Sequence, residues 1–165
     1  MFNSLSKQWR HGASKSLQHR RAIVGLSILS TSVLGLIGLY QVGILKHLPP
    51  RTGRFSAERV HGSDEAFAIL ATPDGILGMI SYSITAAAAS VGSAERFATA
   101  PSLSALMGVK LVADSAFAIR LGCKEWSLWR TLSPWSLLLT ASTLTSLALA
   151  VPELLAASRR LPEHR

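Results

Sequence analysis

Nothing constrains this chain more than the way its apolar residues are blocked together. No residue from Ala22 to Leu45 carries a charge, and further apolar runs extend from Gly75 to Ala94, Ser102 to Ile119 and Thr131 to Val151. A helix rises 1.5 Å per residue, so each run is about long enough to cross a hydrocarbon layer of roughly 30 Å. The expected fold is an all-α integral membrane protein, a four-transmembrane-helix bundle. The 165 residues suit one domain, and a composition of 48% hydrophobic and 16% charged residues is unusual for a soluble one.

The formal net charge is +8, but the basic residues flank the apolar runs instead of alternating with aromatic residues along one surface. A nucleic-acid partner is therefore not expected. Cys123 is the single cysteine, which excludes an intramolecular disulfide, and no Cys/His cluster has zinc-ligand spacing, so no metal is expected.

Lys7, Arg10, Lys15, Arg20 and Arg21 precede the first run without an acid among them, and the first acidic residue is Glu58. With no small-x-small cleavage site after it, the first run reads as a retained signal anchor. Four spans would put both termini on one side. Nine Lys and Arg would lie there, including Arg96, Arg159, Arg160 and Arg165, against seven opposite, among them Lys46, Arg51, Arg54 and Arg59. The excess next to the first span favours cytoplasmic termini. The expected organisation is a basic tail 1–21, a membrane domain 22–157 and a basic tail 158–165, in a bacterial cytoplasmic (inner) membrane. Trp126, Trp129 and Trp135 would form an interfacial belt at the far boundary.

The segment 46–74 starts with Pro49-Pro50, which stops a helix. It then presents Ser63-Asp64-Glu65 ahead of Ala66, Phe67, Ile69 and Leu70, a cap and two acids before apolar residues at helical spacing. This predicts a short amphipathic lid helix across the outer mouth of the bundle, with Phe67 and Leu70 inward. In the third run, Lys110 and Asp114 share a helical face and can pair. Charges in hydrocarbon persist when paired or when facing a polar cavity, so this intramembrane pair either braces the bundle or lines a site.

Ser133-Pro134-Trp135-Ser136 heads the last run. Locally it is a helix start, with Ser as cap and Pro in the first turn. A serine nucleophile there would need a positioned base. His47 and His61 are the outer-side histidines, and neither has a recognisable orienting acid.

The order of parts resembles the vitamin K epoxide reductase family of bacterial membrane proteins. The likeness is carried by Tyr40-Gln41-Val42-Gly43 with His47-Leu48-Pro49, by Ser63-Asp64-Glu65-Ala66-Phe67, and by Thr72-Pro73-Asp74. Lys110, Asp114, Trp135 and Pro152-Glu153 complete it. The resemblance implies a bundle that binds a quinone near the outer surface and passes it electrons from a Cys-x-x-Cys at the start of the last helix. Those cysteine positions fall on Ser133 and Ser136, and 46–74 contains no shuttle cysteine. What the resemblance then implies is a redox-inactive relative that keeps a quinone or lipid pocket formed by Ser63, Phe67, Leu70, Ser133, Trp135 and Ser136, or that holds a partner membrane protein. The alternative is an active thiol/quinone oxidoreductase that uses the free thiol of Cys123 with an external thiol partner.

Overall fold

The computed structural model describes residues 2–49, 57–130 and 132–160. Pro50, Arg51, Arg54, Thr131 and Arg165, named above, lie outside the described residues. Helices α1 (Phe2–His11), α2 (Lys15–Gln41), α3 (Ala57–His61), α4 (Asp74–Ser90), α5 (Arg96–Thr99), α6 (Pro101–Trp129) and α7 (Pro134–Ser158) follow one another, with a 3-10 turn at Asp64–Phe67.

Local chemistry sets the helix ends. Ser14 Oγ accepts the backbone N–H of Leu17 at 3.3 Å and starts α2 seven residues before the uncharged run begins. Pro101 and Pro134 occupy the first positions of α6 and α7, where a missing N–H costs nothing. Arg130, at φ 49°, ends α6 in the left-handed region.

Among the described residues, three helices are long and apolar enough to cross a membrane: α2, α6 and α7. This corrects the expectation of four. The run 75–94 folds as α4, whose 17 residues reach about 26 Å, less than the roughly 30 Å of a hydrocarbon core. The helix stops because Gly92 turns the chain at φ 91°. Arg20 then takes the freed carbonyls, its Nε donating to Ala89 O at 2.8 Å, Nη1 to Ser93 O at 2.7 Å and Nη2 to Val91 O at 2.6 Å.

The lid expectation is corrected as well. The segment 63–70 forms one 3-10 turn instead of an amphipathic helix, because Leu70 and Ala71 take φ values of 53° and 50° and break the helical path. Leu70 is 85% exposed instead of facing inward, and Phe67 is half-buried.

Helix α4 runs antiparallel along α2. Gly38 faces Gly75 at one end, where a Cβ on Gly75 would stand 2.8 Å from the Gly38 backbone nitrogen, and Arg20 meets Ala89 at the other. Only glycine permits that approach. The interior holds two apolar clusters, Ile23, Ala89, Met107, Leu111 and Ala150 towards the chain ends, and Val33, Leu34, Ile37, Leu48 and Ala57 at the opposite end. Ser27, Ser30, Thr85, Ser142, Thr143 and Ser146 are buried as well. Meanwhile Ile28, Leu36, Ile80, Ile84, Val109 and Val112 are exposed. Small hydroxylated residues inside and large apolar ones outside is the pattern of helices that pack against one another in lipid.

Both chain ends meet at one end of the bundle. Ser16 Oγ donates to Glu153 Oε2 at 3.4 Å, and Glu153 Oε1 receives Arg96 Nε at 2.7 Å and Ser104 Oγ at 2.6 Å. Arg20 and Arg96 were counted above among the cations on the side of the termini. Both are buried, at 0% and 1% exposure, and they tie α2, α4 and α7 together.

Candidate functional site

At the end of the bundle away from the chain termini, a cavity of about 600 Å³ lies between the α3 and 3-10 segment and helices α4, α6 and α7. Leu34, Leu77, Phe117 and Leu139 supply apolar wall, and polar groups gather in two places.

The first is built on the start of α7. Ser133 is fully buried, and its hydroxyl caps no backbone N–H. It lies instead 3.1 Å from His61 Nε2. One turn on, Ser136 Oγ donates to Glu125 Oε1 at 2.6 Å, while the Ser133 backbone N–H donates to Glu125 Oε2 at 3.3 Å. On the other flank Gln41 straddles the entrance to α4. Its Nε2 donates to Asp74 Oδ1 at 2.6 Å and to the His61 carbonyl at 3.2 Å, and its Oε1 accepts the Gly75 N–H at 3.1 Å.

His61 is 5% exposed, and its Nδ1 is buried without a hydrogen-bond partner among the described residues. Such an unmet group costs on the order of 1–3 kcal/mol. Burial pushes the imidazole below its usual 6.5, with the Asp74 carboxylate opposing the shift. The ring is thus neutral near neutral pH and offers a hydrogen-bonding atom in a side chain that lines the cavity.

The second polar group lies on α4 and α6. Lys110 Nζ donates to Asp114 Oδ2 at 2.5 Å, Thr85 Oγ1 at 2.8 Å and Ser81 Oγ at 3.0 Å. The Tyr82 hydroxyl lies 2.5 Å from Thr143 Oγ1. Asp114, Ser81 and Tyr82 reach the cavity wall, so the i,i+4 pair both joins α4 to α6 and borders the site.

Of the residues singled out from sequence, Ser63 and Ser136 line the cavity, and Ser63 Oγ donates to Val60 O at 2.9 Å. Ser133 lies behind the wall and reaches the cavity through His61. Trp135 packs in the apolar cluster beside it and donates Nε1 to Pro49 O at 2.6 Å. Cys123 is exposed between Gly122 and Lys124, two residues of the cavity wall, and Lys124 pairs with Glu65. His47 stays on the surface beside Glu58, 3.4 Å from Nδ1 to Oε1. Glu125, His61 as a partner of Ser133, and the Gln41–Asp74 link were missed. No periodicity announces them, because His61 and Ser133 are 72 residues apart.

The two hydroxyls hold separate partners, so the site is a hydrogen-bonding cradle and not a thiol pair. Among the described residues, no group of three or more His, Cys, Asp or Glu is arranged to hold a metal ion. A Ser133 nucleophile would have His61 as base, but no acid among the described residues orients the far nitrogen of that ring, and the hydroxyl is closed off from the cavity.

The model of the Vitamin K epoxide reductase family matches residues 21–151. A comparison with curated proteins finds no match.

Proposed function

We propose that this chain, which belongs to the Vitamin K epoxide reductase family, is a redox-inactive member that holds an isoprenoid quinone or a similar lipid in its cavity without reducing it. The observation that carries this reading is the bonding of the two serines. Ser133 and Ser136 stand where the family likeness puts a redox pair, and their hydroxyls are engaged by His61 and Glu125 instead of by each other. A hydroxyl forms no disulfide and does not ionise near neutral pH, so no electron pair is available from them.

The residues present fit a quinone-type ligand. The cavity has apolar walls for a ring and tail, and the buried, unpartnered Nδ1 of His61 can bond a ring oxygen. Ser136, Ser63 and Asp74 border the same space. When bound, the group would bring two-electron redox capacity; this chain's residues would orient it and keep water from it. The bundle lies in a bacterial cytoplasmic membrane with its basic termini on the cytoplasmic side, which puts the cavity at the opposite face.

Purified protein in nanodiscs, given a decyl-benzoquinone and a dithiol, tests this. Retention of the quinone with no dithiol oxidation above protein-free nanodiscs is the expected result. Quinone-dependent dithiol oxidation that is lost in Cys123→Ser would replace this reading with catalysis through Cys123 and an external thiol.

A further inference from the structure

The bonding around His61 also bears on which redox form of such a ligand the site prefers. Ser133 Oγ is fully buried, and its one side-chain partner among the described residues is His61 Nε2. The hydroxyl proton is satisfied by pointing at that nitrogen. Nε2 then accepts, and the ring proton of the neutral imidazole resides on Nδ1. Ser133 is thus a positioning residue that makes Nδ1 a donor on a side chain lining the cavity, and that donor has no acceptor among the described residues.

Asp74 supplies the complement. One amide nitrogen, Gln41 Nε2, reaches both the Asp74 carboxylate and the His61 carbonyl, so the two residues are neighbours, and both line the cavity. Asp74 Oδ1 is taken by Gln41, and Oδ2 bonds no described side chain. A ligand oxygen seated between these two residues would meet a donor on one side and a carboxylate on the other. A carbonyl oxygen satisfies only the donor and turns its lone pairs towards negative charge. A hydroxyl satisfies both, accepting from Nδ1–H and donating to Asp74.

Resting on the ligand class proposed above, we infer that the pocket prefers the reduced, hydroxyl-bearing form: it is a quinol site, built around His61 and Asp74. No electron moves in this step. The protein binds the form it holds best, and its occupancy follows the quinol fraction of the membrane pool.

Equilibrium binding separates the outcomes. Protein in nanodiscs is titrated anaerobically with a decyl-benzoquinone, with its hydroquinone, and with the dimethyl ether of that hydroquinone, followed by quenching of tryptophan fluorescence; Trp129 lies in the cavity wall. The hydroquinone should bind about tenfold or more tightly than either other compound, the ratio expected for one added hydrogen bond to a charged acceptor. Asp74→Asn should bring the hydroquinone and its ether close to equal affinity. Ser133→Ala, which frees the ring to adopt either tautomer, should hold or widen the gap between quinone and hydroquinone, because the quinone needs Nδ1–H whereas the hydroquinone can also donate to a bare Nδ1. Equal binding of the three compounds, or tighter quinone binding, overturns the quinol preference and leaves a quinone site standing. Binding of none of them overturns both.

Discussion

Glu125 and Ser136 are joined by a 2.6 Å hydrogen bond across the gap between α6 and α7, and the same carboxylate holds the Ser133 backbone at 3.3 Å. One acid therefore fastens the segment in which the family likeness implies redox chemistry. Replacing Ser133 and Ser136 together by cysteine should give a disulfide under mild oxidation, read as protection from maleimide labelling, because the start of α7 still favours a thiolate. The carboxylate of Glu125 opposes that thiolate, so adding Glu125→Gln should speed maleimide labelling of the reduced pair. A folded double variant that never forms the disulfide would show that these serines do not occupy the redox positions.

At the opposite end, Glu153 answers the buried Arg96. Glu153→Ala should destabilise the bundle by about 3–5 kcal/mol, since it leaves a buried guanidinium without its acid. The paired change Arg96→Met with Glu153→Leu should recover most of that loss. Thermal unfolding in detergent checks both, and an additive double variant would argue against the pair.

His61 gives stability a pH dependence of known sign. Its folded value lies below 6.5, so between the two values the unfolded chain binds more protons. Stability from this group is complete above about 6.5 and is lost as pH falls towards the folded value. The melting temperature should drop across that window in wild type and change less in His61→Gln. Matching slopes for the two proteins would remove His61 as the cause.

Much of the bundle was legible in the sequence because apolar runs and Ser-Pro starts report local physics. The length of α4 was not, since its end depends on Arg20 reaching from another helix to the carbonyls of Ala89, Val91 and Ser93. The periodicity of 63–70 suggested a helix, but local spacing cannot reveal that Leu70 and Ala71 adopt positive φ. Ser133 and Ser136 stood out by their spacing, whereas their partners His61 and Glu125 became visible only when distant segments met. Arg20 and Arg96 look like ordinary flanking cations until their burial is known.

Close packing of α2 on α4 predicts a contrast between two glycines. In Gly75→Ala the added methyl meets Gly38 nitrogen at 2.8 Å and Gln41 Oε1 at 2.9 Å, whereas at Gly25 nothing lies within 4 Å. The first change should cost about 1–3 kcal/mol by overpacking, and the second should be neutral or stabilising by up to about 1 kcal/mol. Comparing their thermal unfolding in the same detergent reads the difference, and equal behaviour would contradict the tight interface.

Mass spectrometry of the lipids that co-purify with the detergent-extracted protein, against an unrelated membrane protein from the same membranes, tests the central claim most directly. Retention of a ligand pocket without redox chemistry predicts specific enrichment of an isoprenoid quinone or its quinol, reduced in a cavity-filling Ala118→Trp variant that stays folded. Lipid profiles identical to the control would contradict it, and would shift the account to a protein that holds a membrane partner with no ligand.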